Sequence, residues 1–369
     1  MKILVTGAKG FVAKNLISEL INKGYTEIYQ YTKENSDADL MNYTKDCDIV
    51  FHLAGVNRPQ NPEEFMEGNY GFTDKLLKKL EENKNKCPIL ITSSIQAELD
   101  NDYGKSKKAG EELVFEYGKR NESKTYVYRL PNVFGKWCRP NYNSVIATFC
   151  HNIANNLEIT VNDEQKELTL VYIDDVVKEF IRCLEDNPNK TNEYCEIPVI
   201  HTKKLGEIAN LIKSFKDSRN NLLIPNMEDE FTKKLYSTYL SYLDETNFSY
   251  PVKMNVDDRG SFTELFKSVD RGQVSVNIAK PGITKGNHWH HTKNEKFVVV
   301  SGEGLIQFRK LNEEKIIEYK VSGEKIEVID IPVGYTHNIK NIGTTDLITV
   351  MWCNELFDKE NPDTYFMEV

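Results

Sequence analysis

The sequence predicts an α/β fold class at the start, a doubly wound parallel sheet, followed by an all-β jelly-roll barrel. Three observations predict it. Over roughly residues 1–180, short apolar runs alternate with amphipathic helical stretches, the rhythm of crossover units on a parallel sheet. The opening strand leads directly into a glycine-rich turn, TGAKGFVA. From about residue 252 onward the runs become short and alternating, with glycine or proline closing almost every one, as in a compact antiparallel barrel.

Taken in order, KILVTG, EIYQY, DIVFHLAG, PILITSS and TYVYRLPNVFG read as strands, each ended by glycine, proline or polar residues. Between them, FVAKNLISELINKG and FTDKLLKKLEENK carry apolar residues at helical spacing, the first closed by Gly24. KKLGEIANLIKSFK and EDEFTKKLYSTYLSYL add helices to a less regular region. After TNFSYPVKMNVDDRG come QVSVNIAKPG, EKFVVVSGEG, LIQFRK, KIIEYKVSG, KIEVIDIPVG and DLITVMWCN, all strand-like. Two domains are therefore expected, 1–248 and 249–369.

Composition narrows the function. A chain of 369 residues with 40% apolar and 28% charged residues suits a globular protein of two domains. A net charge of −9 with no basic stripe argues against nucleic acid as a partner, and KKLEENKNK reads as a solvated helix face. Seven scattered cysteines without a CxxC pair suit reduced thiols and a cytoplasmic location. No apolar run approaches the roughly 20 residues needed to cross a bilayer, so direct membrane insertion is not expected.

In TGAKGFVA, Gly7, Gly10 and Ala13 keep the spacing that lets backbone approach a pyrophosphate at a helix N-terminus. His52 to Gly55, at the end of a later strand, can line the same cofactor. An NAD-preferring site usually has a carboxylate after the second strand. Here Thr32 and Lys33 stand there, favouring NADPH, although Glu34 is close by. Tyr103 and Lys107 are four apart, so on a helix they share a face, and a nearby ammonium is expected to lower the phenol's pKa. Ser94 lies at the mouth of the preceding strand.

TGAKGFVA, DIVFHLAG, the asparagine of EGNYGFTDKLL, TSS…YGKSK, RLPNVFG and LVYIDDVV occur in this order over about residues 1–250. Together they resemble the extended short-chain dehydrogenase/reductases that act on nucleotide sugars. The resemblance implies a Rossmann-type domain in which Tyr103 is the catalytic acid, Lys107 its partner and ribose ligand, and Ser94 the third member. It implies that Gly7, Gly10, Phe11, Val12, Thr32, Lys33, Leu53, Ala54, Gly55 and Pro131 bind the dinucleotide. Ser94, Asn132 and Arg139 would meet the sugar nucleotide, and Arg129 would be structural. The family's 4,6-dehydratases carry an acid directly after the catalytic Ser/Thr; Ile95 and Gln96 stand here. Reduction or 4-epimerisation needs only the tyrosine and lysine.

The stretch GNHWHHTKNE, residues 286–295, holds three of the seven histidines. By itself it can be a metal site, a catalytic base or a polar loop. PGITKGNHWHHTKNEKFVVVSG supplies Gly282, His288, His290, Glu295 and Gly302, and PVGYTHNIKN supplies Pro332, Gly334, His337 and Asn341. These resemble the two motifs of the cupin superfamily, with Ile326 in place of the second motif's leading glycine. The resemblance implies that His288, His290, Glu295 and His337 bind a metal. Period-two alternation turns His288 and His290 to one side and His291 to the other. Three imidazoles and a carboxylate suit Zn, Fe, Mn, Ni or Co, and Zn is favoured for non-redox work. DDRGSFTEL and KGNHWH also resemble the metal-free nucleotide-sugar 3,5-epimerases, which makes His288 a candidate base.

The pairing of these two domains resembles the bifunctional capsular-polysaccharide enzymes of the UDP-N-acetyl-L-fucosamine pathway. It implies C3 epimerisation of a UDP-2-acetamido-2,6-dideoxy-4-keto-hexose on the cupin, NADPH reduction at C4 to an L-talose-type product, and a homodimer. The alternative is a reductase or 4-epimerase whose cupin serves dimerisation or stability. Lys285 and Tyr335 are candidates for the cupin's proton donor and acceptor.

Overall fold

The computed structural model describes residues 1–369, which divide into two compact units. The first comprises Met1–Lys213 and Lys234–Asp244, the second Ser214–Lys233 and Glu245–Val369. The expected boundary at 248/249 lies four residues beyond the later crossing. The stretch Ser214–Lys233, however, goes with the barrel. Its backbone explains why: Lys267 N donates to Leu222 O at 2.9 Å and Ile224 N to Lys267 O at 2.7 Å. Helical periodicity reports the helix in this region but not the distant strand to which its end is bonded.

In the first unit, β1 (Lys2–Thr6), β2 (Glu27–Tyr31), β3 (Ile49–His52), β4 (Ile89–Ser94) and β5 (Thr125–Leu130) form a parallel sheet ordered β2-β1-β3-β4-β5. Helices cover both faces, as the near-continuous apolar strands require. Leu16, Leu20 and Phe180 pack on one face, and Leu76, Leu80, Val114 and Tyr117 on the other. The strand order reverses between β1 and β3, so a ligand crevice opens at their carboxyl ends. The run TYVYRLPNVFG divides at Pro131, which has no N–H to give a ladder. Beyond it β6 (Asn132–Phe134) leaves the main sheet and pairs with β7 (Glu167–Tyr172).

The second unit consists of two antiparallel sheets, of six and five strands. Phe297, Val299, Ile306, Phe308, Ile339 and Leu347 form their shared core. Two neighbouring strands of the five-stranded sheet, Thr284–Trp289 and Tyr335–Asn341, matter most for function.

A buried ion pair holds the helix Asp102–Asn121, which carries Tyr103 and Lys107, to the sheet. Glu111, with a side chain only 1% exposed, accepts from Arg129 Nε at 2.9 Å and Nη2 at 2.6 Å. Tyr194 donates to the same carboxylate at 3.2 Å, as does Ser93. The Arg129 guanidinium also lies 4.0 Å over the Tyr194 ring. Removing the cation leaves a buried carboxylate unpaired, a loss of about 3–5 kcal/mol. Arg129→Met is therefore expected to lower the urea midpoint of the first unit markedly. Arg129→Lys should recover only part, because an ammonium cannot reproduce the two-pronged contact; an unchanged midpoint in Arg129→Met would show the network to be slack.

Candidate active site and metal centre

The expected dinucleotide residues gather at the carboxyl edge of the parallel sheet: Gly7, Gly10, Thr32, Lys33, Leu53, Ala54, Gly55 and Pro131 in loops and turns, Phe11 and Val12 in the first turn of the helix Phe11–Asn22, and Lys107 in the helix Asp102–Asn121. Gly7–Gly10 form the turn from β1 into the helix Phe11–Asn22, and Gly10 N donates to Gly7 O at 2.7 Å. Gly7 has φ +65°, and a Cβ there would stand 2.8 Å from the Ala54 backbone. Only glycine lets the turn after β1 meet the loop after β3. That loop, Leu53–Gly55, is fixed from below. Thr73 gives its hydroxyl proton to Asn69 O at 2.5 Å, so it accepts from His52 Nε2 at 2.9 Å. His52 Nδ1 then accepts from Thr6 Oγ1 at 2.8 Å. Burial, with Lys107 nearby, pushes His52 down to about 3 and keeps it neutral. Of the expected His52–Gly55 stretch, His52 thus serves the scaffold rather than the cofactor surface.

Asn69 sits in a π-helical stretch, Met66–Gly71, and clamps the loop to the helix Asp102–Asn121. Its side chain accepts from Val56 N at 2.8 Å and donates to Val56 O at 3.0 Å and Ser106 Oγ at 3.0 Å. Lys107, the next residue, is buried, with Nζ 3.0 Å from Thr92 O. A Cβ on Gly55 would come 3.1 Å from that ammonium. Desolvation pushes Lys107 down to about 8, against the opposing pull of Glu111. Its Nζ stands 6.0 Å from the centre of the Tyr103 ring. The expected lowering of Tyr103 by Lys107 is corrected here: burial dominates and raises the phenol, and the Ser94 hydroxyl is the group that pulls it down. Spacing shows which residues share a helix face, but not how dry that face is. The consequence is a tyrosine that keeps its proton at neutral pH and can donate it.

At the end of β2, the Glu34 carboxylate that would favour NAD is held by Lys9 at 2.5 Å. Lys33 is exposed beside it, and Thr32 binds Asn35 through its hydroxyl at 3.1 Å. Lys9 was missed in the sequence, although it stands between the two glycines of the turn. Pro131 is partly buried after β5, and Asn132 Nδ2 donates to Thr169 O at 3.1 Å. Arg139 is exposed and lies 5.2 Å over the Tyr142 ring. Arg58 approaches the same ring at 5.9 Å, a second cation that no local signal announced.

In the barrel unit, His288, His290, Glu295 and His337 converge, their ligand atoms all within 4.8 Å of one another. His288 lies opposite His337 on the adjacent strand, and a bulge at Asn287 (φ +59°) resets the register just before it. Gly286 has φ +103°, and a Cβ there would meet Asn338 Cα and His337 O at 2.9 Å. Glycine is what lets the two ligand strands approach. Glu295 Oε2 is 3.2 Å from His337 Nε2 and 3.5 Å from His290 Nε2. His290 Nε2, Glu295 Oε2 and both ring nitrogens of His337 are buried without hydrogen-bond partners. Buried polar atoms left unsatisfied are rare, and three imidazoles with one carboxylate match the donor set of a divalent cation. Exposed His291 packs edge-on against Trp289 and Tyr365, outside the cluster.

The clustered groups also shift one another's charge. Burial raises Glu295, but its contacts with His290 and His337 prevail and hold it well below the usual carboxylate range. Burial pushes His288 down to about 4. For His290, burial acts downward, yet the Glu295 and Asp363 contacts prevail and raise it. The cluster opens on a cavity of about 580 Å³ whose walls include Asn255, Arg259, Asn277 and Lys285. Lys285 Nζ donates to Ile278 O at 2.8 Å and Asn277 Oδ1 at 3.0 Å, and burial lowers its pKa. Tyr335, the other acid/base candidate, packs against the apolar core.

Residues 3–197 match the NAD dependent epimerase/dehydratase family, and residues 255–365 match the polysaccharide biosynthesis C-terminal domain. A Pseudomonas aeruginosa protein, UDP-2-acetamido-2,6-beta-L-arabino-hexul-4-ose reductase, is 45% identical over 369 residues, spanning 100% of this chain and 99% of that protein. The crystal structure of the capsular polysaccharide assembling protein CapF from Staphylococcus aureus superposes with a TM-score of 0.96 at 56% identity, covering 100% of both chains. The UDP-glucose 4-epimerase of Thermotoga maritima covers 66% of this chain and 98% of its own, with a TM-score of 0.54 and 18% identity. That last likeness shows the fold alone. No helix in the chain is long and apolar enough to cross a membrane.

Equilibrium dialysis with Zn²⁺, followed by elemental analysis, is expected to find about one ion per chain, the ratio of a single closed cluster. Glu295→Gln combined with His337→Ala should remove it, and full occupancy in that variant would refute the assignment.

Proposed function

The chain belongs to the NAD dependent epimerase/dehydratase family, as a reductase of a UDP-2-acetamido-2,6-dideoxy-4-keto-hexose in capsular polysaccharide biosynthesis, and on that premise we propose that it performs two consecutive steps on this sugar. The barrel epimerises C3, and the first unit then reduces the C4 ketone with NADPH. The single observation that carries the second activity is the cluster of buried, unpartnered ligand atoms opening on a cavity with cationic and amide walls.

For reduction, NADPH supplies the hydride when bound. Lys33 favours the extra phosphate, with Lys9 holding the Glu34 carboxylate. Ser94 hydrogen-bonds the C4 oxygen and fixes its orientation. Tyr103 gives its phenolic proton to that oxygen as negative charge develops, and Lys107 holds the ribose beside it. Arg58 and Arg139 are suited to the diphosphate of the UDP group.

For epimerisation, the C4 ketone already acidifies the C3–H bond. A divalent cation, Zn being favoured, supplies Lewis acidity toward the keto oxygen when bound. His288, His290, Glu295 and His337 would hold it. Lys285 faces the cavity and stands as the candidate for moving the C3 proton. The product of both steps is a UDP-2-acetamido-2,6-dideoxy-L-talose-type sugar. A homodimer belongs to this reading: the edge strand Met254–Asp257 is exposed throughout, with Val256 at 69%, and such edges call for a partner. Seven free, buried cysteines fit a cytoplasmic location.

Incubating the chain with the 4-keto sugar in D2O, without NADPH, should place deuterium at C3, and a chelator should abolish this. Absence of deuterium alongside normal NADPH oxidation would leave only a reductase with a stabilising barrel. Tyr103→Phe is expected to lower the reduction rate by about 10²–10⁴-fold while deuterium exchange persists.

The pH profile has a definite sign. Lys107, pushed down to about 8, is an ammonium below that pH and neutral above it, whereas Tyr103 is raised and stays protonated. The kcat/KM for reduction should therefore fall as pH rises through about 8. In Lys107→Arg the fall should move upward, since the guanidinium does not titrate; an unmoved limb would assign it to another group.

A further inference from the structure

The segment Pro362–Met367 touches the metal cluster from the side opposite His337, and nothing in the motifs points to it. Tyr365–Phe366 pairs with the ligand strand itself, Phe366 opposite His288 and Tyr365 opposite Trp289. Met367 N donates to Asn287 O at 3.0 Å, and the Tyr365 ring stacks on Trp289 at 4.8 Å. Without this pairing, the strand Thr284–Trp289 would be a sheet edge, free to shift its register.

Asp363 makes two separate contacts. Its main-chain oxygen is 2.5 Å from His290 Nδ1. A carbonyl only accepts, so Nδ1 carries the proton and Nε2 presents its lone pair to the cluster. Its carboxylate accepts from three successive amides: His291 N at 2.9 Å, Thr292 N at 2.8 Å and Lys293 N at 2.8 Å. Those amides form the turn that joins His290 to Glu295, so one residue sets the tautomer of one ligand and the spacing to the next. Asp363 has φ +39°, a conformation Asp and Asn tolerate better than most residues.

We propose that Asp363 is the positioning residue of this cluster, and that through it the segment Pro362–Met367 sets how tightly the barrel retains a divalent cation. The proposal rests on the metal reading of the cluster. Lost orientation of a ligand typically costs 10–100-fold in metal affinity.

The test uses the full chain and Zn²⁺, with affinity read by competition against a metallochromic chelator. Asp363→Ala should weaken binding by at least about tenfold, and Asp363→Asn by several-fold less than that, with NADPH binding to the first unit unchanged in both. Equal affinity in all three proteins overturns the proposal. If Asp363→Ala does not fold, Asp363→Asn decides alone, and unchanged affinity in it is an overturning result. Nitrogen-15 spectra of the wild-type histidines provide a second reading: a His290 protonated at Nε2, or bound to zinc through Nδ1, would overturn the proposal without any variant. Failure of the wild type to bind zinc at all sinks the metal reading itself, which separates the two failures.

Discussion

The Asn69 side chain joins the backbone of the loop after β3 to the Ser106 hydroxyl on the helix Asp102–Asn121. It spends its donor and acceptor capacity on Val56 and on Ser106, so the loop after β3 is bonded to the helix that bears Tyr103 and Lys107. Around it every polar contact is closed, through Thr73, His52 and Thr6 down to the first strand. Buried polar groups are tolerated only when partnered. A network in which each donor has one acceptor therefore has one geometry, and the crevice inherits that rigidity.

The barrel inverts the same rule. Its ligand strands approach closely because Gly286 carries no Cβ, and the approach packs three imidazoles and a carboxylate together with several atoms unpartnered. In a core this would be a defect costing a few kcal/mol for each orphaned group. A bound cation would satisfy the whole set at once, which would couple the stability of this end of the barrel to metal binding. The outer shell is bonded as fully as the crevice is: Asp363 alone accepts from three backbone amides.

What could be read in the sequence follows from how local each feature is. The glycine turn, the Tyr103/Lys107 pair and the two histidine motifs each lie within a few turns or strands, and the structure brings each set together as expected. The features that escaped notice join distant residues: Glu34 neutralised by Lys9, Arg58 beside Arg139 at Tyr142, Ser214–Lys233 bonded to Lys267, and Asp363 under His290. None of them has a period or a spacing. The error over Tyr103 has the same origin, since desolvation is a property of everything packed around a ring, and a four-residue interval says nothing about it.

The order of the two proposed steps is dictated by the sugar. Abstraction at C3 is feasible only while C4 is a ketone, because only then does the resulting charge delocalise onto oxygen. Reduction removes that ketone, and with it the acidity, so an inversion that has not happened before hydride transfer cannot happen afterwards. On this reading, reduction would be the exit from an equilibrium that the barrel would maintain. A crevice rigid enough to accept one C3 epimer and reject the other would draw the mixture wholly to one product.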